Sequence, residues 1–212
     1  MLEGAGLVPP GSTWYGNLGF RLVHDPDAGR KLMADAGYGP GKPLRTRVGI
    51  STSGSGQMQP LPMNEFLQQN LRKIYLEVDF EAYDWSALAD VWHGGAKGGN
   101  ARRVSAINFN YGSFDPYNAV IRLLKSSLAA PAGLNRCCFG DPELDRMFTG
   151  VYQTFRPARQ DALLRTIHER VVDQALLLFA AHDLNPRGLS PKVHGFVEAQ
   201  NWSQDLTPTS IS

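Results

Sequence analysis

The hydrophobic positions of this chain change their period several times, and each change marks an element. From Pro62 onward, Met63, Phe66, Leu67, Leu71, Ile74 and Tyr75 recur at helical spacing and predict an amphipathic helix. Leu76, Val78 and Phe80 then alternate with Glu77, Asp79 and Glu81, the pattern of a half-buried strand. Upstream, Leu44 to Ile50 sets Arg45 and Arg47 on one face and Val48 and Ile50 on the other. A strand, a helix and a strand of these lengths make a βαβ unit, so the two strands are expected to be parallel. A further buried strand is expected from Val104 to Phe109, followed by the polar-aromatic run Asn110-Tyr111-Gly112-Ser113-Phe114. Asp115-Pro116 then reads as a helix start, with Asp at the N-cap and Pro at the first helical position.

The same reasoning covers the rest of the chain. Asp25-Pro26 opens a helix with Ala28, Leu32 and Ala36 on one face, stopping at Gly37. A short helix runs from Asp84 through Trp92, and His93 to Asn100 is a glycine-rich loop expected to be flexible. Helices are predicted over Val120–Leu128, from Asp141-Pro142 with Leu144, Met147, Phe148, Val151, Tyr152 and Phe155 as its stripe, and from Arg159 to about Gln174. Leu176 to Ala181 reads as a buried strand and Val193 to Val197 as a last short one. The segments before about Phe20 and after about Lys192 are rich in Pro and Gly, lack periodicity, and should be the least integrated. The fold class is therefore α/β, a mixed β-sheet flanked by helices.

Composition narrows the function. An apolar fraction of 42% with 19% charged residues is ordinary for a globular protein. A net charge of +1, with no long like-charge block, argues against nucleic acid or an anionic membrane as the main partner. No apolar run is long enough to span a bilayer. The opening, Met1 to Gly6 running straight into Leu7-Val8-Pro9-Pro10-Gly11, reads as the middle of something, so any signal peptide and an upstream domain are expected outside this sequence.

The chemistry-bearing residues do not assemble a catalytic group. The five histidines show no H-x-x-x-H or H-E-x-x-H pair, and Cys137 and Cys138 are adjacent, which suits neither a disulfide nor a metal spacing. Neither a G-x-S-x-G elbow nor a phosphate-cradle glycine set is present; Gly54 and Gly56 lack the third glycine and the Lys-Ser/Thr. An enzyme, a metal site and a cofactor are thus not expected. Asp115 reads as a cap before a ligand group. Trp85 and Trp92, seven residues apart, share a helix face that serves either the core or a binding wall. His93 reads as a group favoured by the helix C-terminus or as a ligand contact.

Several segments taken in order resemble the carboxy-terminal lobe of the family 5 solute-binding proteins, the peptide and nickel receptors of bacterial ABC importers. The resemblance is carried by Gly6-Leu7-Val8-Pro9-Pro10, by His24-Asp25-Pro26-Asp27-Ala28 through Leu32-Met33-Ala34-Asp35-Ala36-Gly37-Tyr38, and by Phe66-Leu67-Gln68-Gln69-Asn70-Leu71 followed by Val78 and Asp84-Trp85. Asp115-Pro116, Leu144-Asp145-Arg146-Met147 and Arg159 continue it, so it covers nearly the whole chain.

The resemblance implies a periplasmic-binding-protein-like lobe over 1–212, with 1–20 and 192–212 leading to a second lobe. It implies a receptor that closes on a small polar solute or peptide and delivers it to an ABC permease. Such a protein is expected to be monomeric, periplasmic or lipid-anchored outside the cytoplasm, and not to bind nucleic acid. Carried over by position, the ligand-binding residues are Trp85, Trp92, His93, Asn108, Phe109, Asn110, Tyr111, Gly112 and Ser113. Two departures stand out. Gly94 to Asn100 is glycine-rich where relatives carry an aromatic and Asp, and Gly112 occupies the place, four residues before Pro116, where peptide receptors have an acid. A solute without a free amino terminus is therefore expected. The alternative reading is a ligand-sensing domain of a cytoplasmic transcriptional regulator with the same fold.

Overall fold

The computed structural model describes the chain apart from residues 1, 20–22, 55, 56, 58, 100–102, 113, 114, 116, 183–185 and 200–203. In order the elements are β1 (Leu2–Glu3), α1 (Pro26–Asp35), β2 (Leu44–Ser51), α2 (Pro60–Arg72), β3 (Leu76–Tyr83), α3 (Trp85–Gly94) and β4 (Ala106–Asn108). A π-helical turn (Tyr117–Ile121), α4 (Arg122–Leu124) and a 3-10 turn (Ser126–Leu128) follow. The chain then forms α5 (Pro142–Gln153), α6 (Pro157–Asp173), β5 (Ala181–His182), β6 (Val193–His194) and β7 (Ser210–Ile211). The chain divides into two compact units, one of residues 19–111 and 122–153, the other of 1–18, 112–121 and 154–212.

The first unit is built on a three-stranded sheet in the order β3-β2-β4, parallel throughout. The expected βαβ unit is present, with Leu44 opposite Leu76 and Ile50 opposite Ala82. On the other side of β2, Ile50 stands opposite Asn108. Side chains alternate across a strand, so Val48, Ile50 and Asn108 share one face while Gly49 belongs to the other. Helix α2 lies on the Asn108 face, where Asn64 and Gln68 hydrogen-bond to Asn108 and to the Val78 carbonyl. Helix α3 lies on the opposite face, where a Cβ at Gly49 would stand 3.1 Å from Leu88. Successive crossovers thus cover opposite faces, the doubly wound arrangement. Ile50, Val78, Leu88, Val91, Leu124, Leu144, Phe148 and Val151 are buried here, each stabilising by about 1.5–3 kcal/mol. Beside Gly49's end of that face, Arg45 pairs with Glu77 at 2.9 Å, and Arg47 and Arg103 pair with Glu81 at 3.6 and 2.9 Å.

The second unit centres on α6, whose Leu164, Ile167, His168, Val171 and Val172 are buried, with the turn 117–121 packed against it. Two antiparallel pairs, β1 with β5 and β6 with β7, belong to it. Both parallel and antiparallel pairings are therefore present, and helices flank the sheet, as the α/β reading requires.

Several local expectations are corrected. The run Leu176 to Ala181 is not a buried strand: only Ala181–His182 pairs, and Leu178 is 74% exposed. Ala175, at φ 50°, turns the chain out of α6, and a short apolar run without a strand neighbour has no ladder to join. On α1 the packed residues include Gly29 and Met33, while Ala28, Leu32 and Ala36 are exposed. A Cβ at Gly29 would stand 2.8 Å from Ile74 Cγ2, so the missing side chain sets which face approaches. The Val120–Leu128 helix is broken into π, α and 3-10 turns, and Asp145 of α5 accepts the Ser126 N–H at 2.9 Å to start the last of them. The β4 strand is confined to Ala106–Asn108. Residues 4–8 are well integrated, with Gly4, Gly6 and Val8 buried, whereas no described residue of 192–212 is.

Candidate functional site

The β2–β3 connection runs to one side of β2, and the β3–β4 connection crosses back over it to the other side. The crevice at the carboxyl ends of β2 and β4 is the switch point at which such sheets take their ligands. Three side-chain amides meet there. Asn64 Nδ2 donates to the Pro60 carbonyl at 2.7 Å, Asn108 Nδ2 donates to Asn64 Oδ1 at 2.7 Å, and Gln57 Nε2 donates to Asn108 Oδ1 at 3.1 Å. A carbonyl only accepts, so Pro60 fixes the orientation of Asn64, and Asn64 fixes that of Asn108 and then Gln57. Asn64 is 1% exposed, which makes this alignment costly to reverse.

Asn108 faces α2, and the next residue, Phe109, turns toward α3. Its ring centroid lies 5.1 Å from that of Trp92 and 6.3 Å from that of Tyr111, the latter edge-on. Trp92 also stands 5.1 Å from the His93 ring. Trp92, His93, Phe109 and Tyr111 thus form one aromatic cluster beside the amide chain. Trp85, at the start of α3, stands instead over Gly54 in the loop after β2, where a Cβ would lie 3.0 Å from its own. Asp84 caps α3, accepting the Ala87 N–H at 2.9 Å, which fixes where both tryptophans project. Asn110 and Gly112 are half-buried; Gly112 belongs to the second unit and Ser113 lies outside the described residues. Asp115 caps as expected, accepting the Asn118 N–H at 3.0 Å.

Three neighbours of this cluster escape the sequence reading: Gln57, Asn64 and Arg136. Asn64 had a legible signal, since it shares the helical face of Leu67 and Leu71, an inward position for a polar residue. Arg136 had none. Its guanidinium lies 4.8 Å from the Trp92 ring and donates to the His93 carbonyl at 2.8 Å, holding the end of α3. Burial, and after it the charge of Arg122, lower its pKa. The buried Asn135 shapes its loop by donating to the Phe139 carbonyl at 2.7 Å and accepting the Phe139 N–H at 3.0 Å. The beginning of the expected flexible glycine loop is docked on that same loop. Gly95 has φ 63°, a Cβ there would collide with Ala130 Cβ, and the Ala96 N–H donates to the Arg136 carbonyl at 2.6 Å.

Among the described residues no group of three or more His, Cys, Asp or Glu could hold a metal ion, and no helix is long and apolar enough to cross a membrane. What the site offers is an aromatic wall and oriented neutral amides, the furniture of a binding surface.

These elements define a periplasmic-binding-protein-like fold. The dipeptide-binding protein of Pseudoalteromonas sp. SM9913, solved with Met-Leu, superposes with a TM-score of 0.77 at 21% identity, over 100% of this chain and 40% of its own. The oligopeptide-binding protein AppA of Bacillus subtilis, solved with a nonapeptide, gives 0.75 at 15% identity over 99% and 43%. The ABC transporter-associated periplasmic binding protein DppA of Helicobacter pylori, solved with the peptide STSA, gives 0.65 at 18% over 85% and 33%. The chain therefore spans less than half the length of each of these structures. No protein-family model and no curated protein matches the sequence.

Proposed function

We propose that the chain is the carboxy-terminal lobe of the solute-binding component of a bacterial ABC importer. It would supply one wall of an interlobe cleft, capture a polar solute or peptide outside the cytoplasm, and hand it as a monomer to a membrane permease. The observation that carries this reading is the convergence of Asn108, Phe109 and Tyr111 with Trp92 at the switch point of the sheet. Trp85, His93, Asn110, Gly112 and Ser113 complete the proposed ligand-binding set. The polar residues of the loop after β4 are neutral amides and hydroxyls, and Gly112 offers no counter-charge to an ammonium group. Leaving a buried ammonium unpaired costs about 3–5 kcal/mol, so the solute proposed is one without a free amino terminus, such as an oligosaccharide or a blocked peptide.

The test is a thermal-shift screen of the full-length protein against uncharged oligosaccharides, tripeptides and N-acetylated tripeptides. Stabilisation by the neutral or blocked compounds, weakened in Trp92→Ala and Asn108→Ala, is expected. Stabilisation by free tripeptides that N-acetylation abolishes would overturn the ligand class, and no stabilisation by any solute would overturn the receptor reading.

A further inference from the structure

The second unit contains a feature that solute binding does not use. Residues 4–8 run across α6 and beside β5, and two of their backbone N–H groups end on imidazole nitrogens. The Leu7 N–H donates to His168 Nε2 at 3.1 Å, and the Ala5 N–H donates to His182 Nε2 at 3.4 Å. His168 is fully buried, and its Nδ1 lies 2.7 Å from the Tyr15 carbonyl oxygen. A carbonyl cannot donate, so Nδ1 carries the ring's proton and Nε2 is left as a lone pair, matched to Leu7. Both nitrogens are satisfied only when the imidazole is neutral.

We propose that residues 4–8 form an acid-releasable strap, held on α6 and β5 by the neutral imidazoles of His168 and His182 and freed when they take up protons. A second proton on His168 Nε2 would point an N–H at the Leu7 N–H, replacing a hydrogen bond by a repulsion in a site without water access. The strap has no room to shift aside. Gly6 has φ 148°, and a Cβ there would collide with His168 Nε2, so the backbone lies directly on the ring. Protonation of His182 Nε2 likewise removes the acceptor of Ala5, two residues earlier on the same segment.

The groups facing these imidazoles decide the direction. Around His168 the described residues bring the Tyr15 carbonyl and the Glu169 carboxylate, which favour the charged ring, and His182, which opposes it. The Glu169 carboxylate is itself engaged, accepting the Asn17 N–H at 2.6 Å. Burial outweighs all of these and lowers the His168 pKa, and burial alone lowers that of His182. An imidazole whose folded pKa is depressed binds its proton more readily once released, so the strap is fully held above the ordinary histidine value, about 6.5, and loosens as the pH falls below it.

The experiment is hydrogen exchange on the whole chain by NMR at pH 7.5 and 5.0, corrected for intrinsic chemistry. The expected result is that the Ala5 and Leu7 amides lose protection at the lower pH while Leu164 and Ile167 in α6 keep theirs. The opening constant should rise up to about tenfold per pH unit for each imidazole titrated. His168→Gln should flatten this dependence. If that variant does not fold, the ring nitrogen shifts of the wild-type protein give an independent reading, with His168 expected as the Nδ1–H tautomer at pH 7.5. Protection of Leu7 that is unchanged by pH, that falls in step with Leu164, or a His168 protonated on Nε2 at pH 7.5 would each overturn the proposal.

Discussion

Replacing Asn64 by Ala tests the amide chain on which the candidate site rests. The side chain is 1% exposed, and its removal strips Asn108 Nδ2 of its acceptor, 2.7 Å away. The Pro60 carbonyl loses a donor as well, at 2.7 Å. A buried donor left without a partner costs about 1–3 kcal/mol, and this is the expected loss of stability. For a chain of this length about 2–4 °C of melting temperature accompanies each kcal/mol, so the midpoint should fall by roughly 2–12 °C. The sharper measurement is a double-mutant cycle with Asn108→Ala in urea denaturation. Once Asn108 is gone, truncating Asn64 strands no amide, so the double variant should lose less than the sum, with a coupling of about 0.5–1.5 kcal/mol. Asn108→Asp adds a pH signature. An ionised carboxylate there has no proton to give Asn64 Oδ1, so its folded pKa should rise above about 3.9, and the variant's deficit should shrink as the pH falls toward that value. Additivity of the two alanine variants within about 0.3 kcal/mol would refute the aligned chain.

Three further outcomes are expected. Gly95→Ala, at φ 63° and against Ala130 Cβ, should destabilise by about 1–3 kcal/mol in the same urea assay, whereas an effect below 0.5 kcal/mol would mean that this turn is not tightly docked. Leu178→Ser, at a residue 74% exposed, should change stability by less than about 0.5 kcal/mol, against about 2–5 kcal/mol for Leu144→Ala in the core. The 212-residue chain alone should bind solute weakly, because a single wall neither encloses a ligand nor excludes water; sub-micromolar affinity by calorimetry would contradict this.

Periodicity made the βαβ unit legible, since Leu76, Val78 and Phe80 alternate in register with Leu44 to Ile50. It placed α5 and α6 for the same reason, their buried Leu144, Phe148, Leu164 and Ile167 falling at helical spacing. It failed on α1 because a glycine, carrying no hydrophobic signal, is the residue that permits approach to Ile74. It failed at Leu176 to Leu178 because an apolar run does not state whether a partner strand exists. At the site, the loop residues Asn108 to Tyr111 announced themselves by composition, and Trp92 by its place on a short helix. Arg136 joins them only through tertiary packing across 43 residues, a relation no local pattern encodes.

The discontinuity of the second unit has a consequence for how the protein is made. Its defining contacts join ends of the chain far apart in sequence: Leu7 to His168 across 161 residues, Ala5 to His182 across 177, and Trp14 to Asp161 across 147. During synthesis residues 1–18 therefore emerge well before the residues they pack against. Within the β2–α2–β3 segment, by contrast, Leu44 pairs with Leu76 only 32 residues on, so this unit is free to form early. Closing loops of that size is entropically expensive and slow, so the second unit, which needs both residues 1–18 and α6, should assemble after the first. Until α6 is complete, Val8 and Trp14 are exposed apolar surface on a growing chain, the state in which misassembly and chaperone capture are most probable.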